Sequence, residues 1–460
     1  MPFPPLAGLC DYQEAARLGT SVQDSVQFLL RLAWIKKRTM EMGLAWLNPV
    51  PEWEVKEAMS LHLHLDAEHV GMLRRRIGEM RNPPPPMEDS PCERLDAFLD
   101  EVLWADDTEE RIVGLYGVLR PAVLASCKAH RDRLNQLVAQ PTRRLLRILI
   151  GDDEETAEWG DAAVLVAVKD PATAARCAVW RSHLEAYLMA AGGVVGDGDV
   201  VAATLPPPRA GEYYVPDYHP RRDGRFREQG NFVFPPHEVA RETQVGVREK
   251  TLALMCKRAL EMDVPELMAP MIAEARAQPW DYYVNMCRQL WDEARHAMMG
   301  TVYLEQLGVD WKARVPLHPG ASIRLNLHLS PLEAHAVLYA VEQALMPAKT
   351  GKRYEWETAA EAGDDLATMF QDYDWADEVL HAQIGKRWLV PMLGMSRDAV
   401  LELGQRKAVE TEGELHRYAR PEEQVNWWPD FVRDVLGQES GMDPAKGWMG
   451  DPVYRKDEME

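Results

Sequence analysis

The sequence predicts an all-α protein. Apolar residues recur at the three- and four-residue spacing of amphipathic helices along most of the chain, whereas extended alternation is scarce and β-branched runs are short. Clusters of proline and glycine separate the helical stretches. A chain of 460 residues has room for two or three domains with substantial cores. We therefore expect more than one helical unit.

The N-terminal half contains six helical stretches with recognisable ends. The sequence Asn48-Pro49-Val50-Pro51 stops the first stretch, and the proline run at residues 82–91 must form a loop. Gly192-Gly193 closes the last one. The predicted helices are residues 22–47, 52–80, 92–103, 108–138, 142–167 and 171–191.

The C-terminal half begins after a long stretch without a clear element, residues 192–236, which is either a linker or a loop draped over a neighbouring domain. Ser330-Pro331-Leu332-Glu333 is a strong helix start, with an N-cap serine and a glutamate three residues later. Predicted helices are residues 237–262, 265–307 with a break near Pro279, 330–345 and 358–390, followed by further helices and a charged tail. The predicted domains are 1–191, 192–236, 237–395 and 396–460.

Composition excludes several classes of protein. The 52 Lys and Arg residues against 73 Asp and Glu give a formal charge of −21, which argues against nucleic-acid and anionic-membrane partners. No apolar run reaches the length of a membrane span, and no signal-like segment opens the chain, so we expect a cytoplasmic protein. The six cysteines are scattered without a Cys-x-x-Cys pair, which predicts neither disulfides nor a zinc or iron–sulfur site.

Two copies of one motif carry the chemistry of the sequence. On a helix, residues three apart lie on one face, so each Glu-x-x-His pair aims a carboxylate and an imidazole at one point. A single pair arises often by chance, but two copies at comparable positions in two helices indicate a metal site. The copies are Asp292-Glu293-x-x-His296 and Asp377-Glu378-x-x-His381.

Two further glutamates lie on predicted apolar stripes. Glu249 and Glu342 each fall among buried positions of a helix, where a lone carboxylate is costly unless it is paired or metal-bound. Glu242 and Glu333 are the alternatives on the same helices. Four glutamates balance the charge of two divalent ions, and oxygen and nitrogen ligands suit iron(II) or manganese(II), with zinc left open.

With these motifs, residues 238–390 resemble the ferritin-like di-iron carboxylate superfamily, whose four-helix bundles combine two Glu-x-x-His helices with a lone glutamate from each of two others. The resemblance implies that Asp292 and Asp377 orient the histidine of the opposite helix. The first motif matches the superfamily form with Arg295 as a charge partner, whereas Leu380 stands at that place in the second. The implied ligands of two iron ions, or of manganese or mixed ions, are Glu249, Glu293, His296, Glu342, Glu378 and His381.

When the motifs are aligned, the N-terminal half resembles a degenerate copy of this bundle. Asp66 aligns with Glu293 and His69 with His296, but Ala157 stands where His381 would be, and the position of Glu249 falls near Ile35 or Lys36. A cation or an apolar group there does not complete a metal site. We expect the histidines of this half to be structural; a metal bound through Asp66 and His69 is the open alternative. These histidines are His62, His64 and His69.

The resemblance implies an oxidoreductase that activates dioxygen to oxidise a small organic substrate. Its partners are dioxygen, that substrate and an electron donor, and a homodimer is an option. The additional bundle, connector and tail exceed the small single bundles of iron storage, which favours a shaped substrate cavity. The alternatives are a non-catalytic metal-binding or scaffold protein and a ferritin-like iron-oxidising protein.

Overall fold

The computed structural model of the chain describes residues 3–86, 88–196, 205–227, 232–233, 239–240, 242–317, 325–418 and 425–442, of which 232–233, 412–418 and 425 are described by their backbone alone. The described part is all-α apart from one short parallel pair, in which Phe232–Val233 lies beside Val425–Asn426. The chain divides into two compact units. Unit 1 is Met1–Gly43 with His62–Pro216, and unit 2 is Leu44–Leu61 with Asp217–Glu460.

These units differ from the predicted domain boundaries. The connection between the first two long helices, Leu44–Leu61, groups with unit 2, because Trp53 belongs to the hydrophobic core of that unit and Lys56 pairs with Glu266 at 2.7 Å. Residues 205–216 of the predicted linker group with unit 1. The rest of that linker at 197–204, 228–231 and 234–236, and the predicted charged tail from residue 443, lie outside the described residues.

Unit 1 is built from helices whose starts are marked by acidic caps. Asp107 accepts a hydrogen bond from the Glu110 amide at 2.9 Å, and Asp170 accepts one from the Thr173 amide at 2.8 Å. Helix α7 packs against α5 and α6, and α8 packs against α4 and α5. The helices are α1 (Tyr12–Ala15), α2 (Val22–Trp46), α3 (Trp53–Glu79), α4 (Glu93–Leu103), α5 (Thr108–Gly114), α6 (Arg120–Arg133), α7 (Gln140–Ala167) and α8 (Pro171–Ala190).

A π-helical turn at Leu115–Leu119 joins α5 to α6 without a break. Among the residues described, Thr108–Arg133 is the helix that is long and apolar enough to cross a membrane, and 56% of its most apolar window is buried within the protein. Burial of this kind is also what a core helix of a helical bundle shows, so the length and composition of this helix indicate no particular environment.

Unit 2 surrounds one long pair of helices. Helix α11 packs against α9, α10 and α15, and α15 also packs against α13 and α14. The predicted capping box at the start of α13 is present, since the Ser330 hydroxyl accepts from the Glu333 amide. The helices are α9 (Val247–Ala259), α10 (Asp263–Glu274), α11 (Trp280–Gln306), α12 (Trp311–Arg314), α13 (Pro331–Ala344), α14 (Lys352–Glu361), α15 (Asp365–Leu393), α16 (Arg397–Tyr418) and α17 (Trp428–Leu436).

Two of the predicted helices have different limits. The stretch 358–390 is not one helix, because Gly363 adopts a left-handed conformation (φ 68°) and Asp364 caps a new helix through the Ala367 amide. The stretch 237–262 is interrupted as well: among its described residues, 239–240 are helical, 242–246 are not, and α9 begins at Val247. Helices α9 and α11 come into backbone contact at Gly300, where a Cβ atom would lie 2.1 Å from the Ala259 nitrogen.

Candidate metal centre

The two Asp-Glu-x-x-His motifs meet in the interior of unit 2. One lies on α11 and the other on α15, which pack against each other. The glutamate and the histidine of each motif are buried, and the rings of His296 and His381 lie 5.9 Å apart between centroids. The structure therefore brings both motifs to one place.

Four side chains from three helices form the first ligand group, defined as Glu293, Glu342, Glu378 and His381. One ligand atom of each lies within 4.8 Å of those of the others, and each residue is at most 3% exposed. Nδ1 of His381 lies 3.1 Å from Glu293, 3.3 Å from Glu378 and 4.0 Å from Glu342. The amide of Gln289 donates to Glu342 Oε1 at 3.1 Å. These four residues were all predicted as ligands.

The close approach of three buried carboxylates separates their pKa values. Burial and the negative charge of Glu378 raise the pKa of Glu342 well above its usual range. Burial opposes ionisation of Glu378 too, but the charge of Lys352 and the hydrogen bond with Glu342 hold its pKa well below the usual range. Without a bound cation, the group thus retains a proton on Glu342. A metal ion binding there would displace that proton.

Each motif aspartate lies beside the histidine of the other motif. His381 Nε2 is 3.4 Å from Asp292, and His296 Nε2 is 3.3 Å from Asp377. A histidine that donates its Nε2 proton to a carboxylate presents the lone pair of Nδ1 on the other side of the ring. Both Nδ1 atoms face the buried glutamates. This is the cross-pairing that the superfamily resemblance implies.

Arginines on the outer side of these aspartates complete the arrangement. Arg295 contacts both Asp292 at 2.5 Å and Asp377 at 2.8 Å, and Arg288 donates to Asp292 at 2.8 Å. Burial opposes ionisation of Asp292, but the hydrogen bond with His381 and the arginine charges lower its pKa to about 2. Asp292 therefore stays charged, and this charge favours the proton on His381 Nε2 over one on Nδ1.

A second ligand group lies next to the first and consists of Glu261, His296 and Asp374. His296 Nδ1 lies 3.3 Å from Asp374 and 3.8 Å from Glu261, and it makes no hydrogen bond among the described residues. Sequence reasoning identified His296 and missed both carboxylates. Asp374 carries a usable signal, because it precedes Glu378 by one helical turn and shares its face. Glu261 lies in the turn after α9, where helical periodicity gives no signal.

Two buried cations already contact the second ligand group. Lys352 Nζ lies 2.9 Å from both oxygens of Asp374 and 2.7 Å from Glu378. Arg258 contacts Glu261 at 2.6 Å and also pairs with Asp374. Both cations are fully buried. Sequence reasoning identified neither of them.

Glu249 was predicted as a ligand, but it belongs to neither ligand group. It is fully buried, as the apolar stripe predicted, but its carboxylate accepts hydrogen bonds from Trp428 Nε1 at 2.9 Å, the Ser440 hydroxyl at 2.6 Å and the Gly441 amide at 2.8 Å. These donors belong to the C-terminal part of unit 2. Three hydrogen bonds satisfy the carboxylate, so its burial requires no metal ion.

The two ligand groups fit a metal ion to different degrees. The first offers carboxylate oxygens and one imidazole nitrogen without a thiolate, which suits iron(II) or manganese(II). The residues of the first group therefore fit such an ion.

No protein family, curated protein or solved structure matched the chain when it was compared with them. The donor atoms of unit 2 therefore carry the functional inference, and the two carboxylates of the second group are already paired with Lys352 and Arg258.

Unit 1 contains a comparable acidic cluster, which consists of Asp66, His69 and Asp153. Lys36 Nζ lies in it, 3.0 Å from Asp66 and 2.5 Å from Asp153, and Arg120 pairs with Asp66 at 2.7 Å. His69 pairs through Nε2 with an aspartate outside the cluster at 2.9 Å. The cation that the alignment predicted near position 36 thus neutralises these carboxylates. A metal bound through Asp66 and His69 would have to displace it.

Proposed function

We propose that unit 2 is a ferritin-like metal centre that binds iron(II) or manganese(II) at the first ligand group and activates dioxygen to oxidise a small organic substrate. The observation that carries the proposal is the convergence of three buried glutamates and His381 Nδ1 within 4.8 Å. Buried carboxylates in such a cluster repel one another unless a cation is bound between them. An external electron donor completes the reaction.

The ferritin-like part of the proposal is supported by the origin of the ligands. Helices α11 and α15 each supply a Glu-x-x-His pair, α13 supplies Glu342, and the turn after α9 supplies Glu261. Two motif helices and two helices with one carboxylate each are the ligand pattern of that superfamily. The resemblance therefore extends from the motifs to their arrangement, with Glu261 rather than Glu249 as the carboxylate nearest to His296 from this part of the chain.

An iron ion at this position would supply the electron transfer to dioxygen that protein side chains do not provide. The residues of the chain prepare the site. Asp292 lies beside His381 Nε2, which leaves Nδ1, 3.3 Å from Glu378 Oε2, as the ring atom that would bind the ion. Gln289 fixes Glu342 by donating to one of its oxygens. The burial of all four ligands keeps bulk water away from the centre.

The test begins with the metal content of untagged protein purified without chelator, measured by elemental mass spectrometry. We expect bound iron or manganese in the wild-type protein and none in the variant that combines Glu293→Ala with Glu378→Ala. Asp372→Ala, which removes an exposed carboxylate from the same helix as Glu378, is the matched control and should keep the metal. An unchanged metal content in the double variant would refute the ligand assignment.

Reactivity is tested on protein loaded with iron(II) without air. Addition of dioxygen in the presence of a reductant should consume oxygen in the wild-type protein and in Asp372→Ala, and not in the double variant. A protein that binds metal but consumes no oxygen under these conditions would be a non-catalytic metal-binding protein. Uptake of iron far beyond the number of ligand groups would instead indicate iron storage.

A metal-free scaffold is the second candidate, and Lys352 and Arg258 are the observation that favours it. They show that the core of unit 2 neutralises buried carboxylates with its own cations, as unit 1 does with Lys36 and Arg120. Absence of bound metal, and absence of uptake on loading, would establish this alternative. In that case the cluster would serve only the packing of the helices.

A further inference from the structure

We infer that the centre of unit 2 binds one metal ion and that the ammonium group of Lys352, together with Arg258, takes the place of a second. The inference rests on the proposed metal binding at the first ligand group. It changes the stoichiometry implied by the superfamily resemblance from two ions to one.

The contacts of Lys352 carry the inference. A lysine ammonium has three N–H donors, and Lys352 Nζ has three carboxylate oxygens within 2.9 Å: both oxygens of Asp374 and Oε1 of Glu378. Its exposure is 0%, so no water competes for these bonds. Asp374 therefore has no oxygen that is free of the lysine. Glu378 keeps Oε2, which lies 3.3 Å from His381 in the first ligand group.

Arg258 closes the same position from the side of α9. Its guanidinium contacts Glu261 at 2.6 Å, pairs with Asp374 and reaches Glu355 at 3.4 Å, and it is fully buried. A divalent ion bound by Glu261, His296 and Asp374 would lie close to the positive charges of Lys352 and Arg258, which contact the same carboxylates. In a buried site with little water, that repulsion is strong.

The first ligand group differs in this respect. Within the part of the chain that the structure describes, neither Glu293 nor Glu342 forms an ion pair with a lysine or an arginine. The carboxylates of the centre that no described lysine or arginine contacts thus lie on the side away from Lys352. A single ion bound among Glu293, Glu342, Glu378 and His381 would take the place of the proton on Glu342.

Unit 1 supplies an internal parallel. Lys36 bridges Asp66 and Asp153 and Arg120 supports it, as Lys352 bridges Asp374 and Glu378 with support from Arg258. A buried acidic cluster neutralised by one lysine and one arginine is therefore an arrangement that both units contain. In unit 1 the lysine and the arginine contact both aspartates of the cluster. In unit 2 they contact the second ligand group and one oxygen of Glu378, and among the described residues they leave Glu293 and Glu342 of the first group without such a partner.

His296 is the residue that favours a second ion, because its Nδ1 is buried without a hydrogen bond among the described residues and could bind a metal. The same atom lies 3.4 Å from Glu293, on the border of the first ligand group. The one-ion and two-ion arrangements therefore differ in a measurable quantity, the number and magnetic coupling of bound ions.

The experiment uses manganese(II) as the probe, with the full chain stripped of metal and then equilibrated with excess manganese. We expect the wild-type protein to bind one ion per chain, with the electron paramagnetic resonance signal of isolated manganese(II) accounting for all of it. Lys352→Gln removes the ammonium group and frees Oδ2 of Asp374, which Arg258 does not contact. This variant should therefore bind two ions per chain and lose signal intensity through coupling between neighbouring ions.

Two control variants separate charge from position. Lys352→Arg keeps the charge and should still bind one ion. Lys257→Gln removes a lysine that pairs at 2.8 Å with Glu355 and with neither ligand group, and it should bind one ion as well. Circular dichroism of each variant reports its folding, and the wild-type stoichiometry and spectrum decide the matter even if Lys352→Gln does not fold.

Two coupled ions in the wild-type protein would overturn the inference, and so would one ion in both the wild-type protein and folded Lys352→Gln. Absence of manganese from every protein is a different result. If iron(II) is not bound either, the proposed metal binding itself is refuted, and the one-ion centre with it.

Discussion

Replacing Lys352 by methionine should destabilise the metal-free protein and make its stability depend on metal more strongly. Methionine fills a similar volume but leaves Glu378 without its ammonium partner and Asp374 with Arg258 alone. Removing one partner of a buried ion pair costs about 3–5 kcal/mol of the free energy of unfolding. Each bound ion returns about 2.7 kcal/mol when free metal exceeds its Kd by about 100-fold. Manganese should therefore stabilise Lys352→Met, with two ions, by about twice the increment of the wild-type protein.

Urea unfolding followed by tryptophan fluorescence measures these free energies with and without manganese(II). Lys56→Met is the matched control, because Lys56 is an equally buried lysine of unit 2 that pairs with Glu266 at 2.7 Å, away from both ligand groups. It should lose stability in metal-free buffer and gain only the wild-type increment from manganese. The reasoning fails if metal-free Lys352→Met is as stable as the wild-type protein, or if manganese stabilises both by the same amount.

Two further predictions concern the surroundings of the centre. Burial lowers the pKa of His335 to about 4, so the unfolded chain binds more protons below pH 6.5 and the free energy of unfolding falls as the pH drops from 6.5 towards 4. In urea unfolding, His335→Leu should remove about 2 kcal/mol of the loss of stability between pH 7 and pH 5. An equal loss in the wild-type protein and in His335→Leu would contradict this. Gly300→Ala should cost about 1–3 kcal/mol because its Cβ meets the Ala259 backbone. The control Gly151→Ala meets no atom within 4 Å and should stabilise α7, as thermal unfolding would show.

Helical periodicity predicted much of the fold because it depends on local burial. The start of α13 followed from its capping box, and the long helices of unit 1 lie within a few residues of their predicted limits. The break between α14 and α15 was missed although its signals are local: Gly363 ends one helix and Asp364 caps the next. There the continuous apolar pattern on both sides outweighed two adjacent residues that favour a break.

The candidate site was predictable where a motif fixed the spacing of the residues. Glu293, Glu378 and His381 come from the motifs, and the stripe on α13 was sufficient for Glu342. Glu249 shows the limit of this reasoning. A stripe predicts that a carboxylate is buried but not which group it meets, and its partners lie far along the chain.

Sequence patterns contain even less information about Lys352. A lysine near the start of a helix is ordinarily solvated, and its burial here depends on three carboxylates that only the packed helices bring together. Lys36 was anticipated in unit 1 because an aligned glutamate position held a cation. No such alignment pointed to position 352.

The position of Arg295 explains why the second motif can do without an arginine of its own. Its guanidinium lies between Asp292 and Asp377, so one arginine serves both aspartates. The equivalent place on α15 is occupied by Leu380, which is 38% exposed at the surface. Two repeated segments that face each other can share a residue on the line between them. The second motif has no arginine of its own, yet its Asp377 has the same arginine partner as Asp292 and in turn contacts His296, so one arginine is sufficient for two motifs.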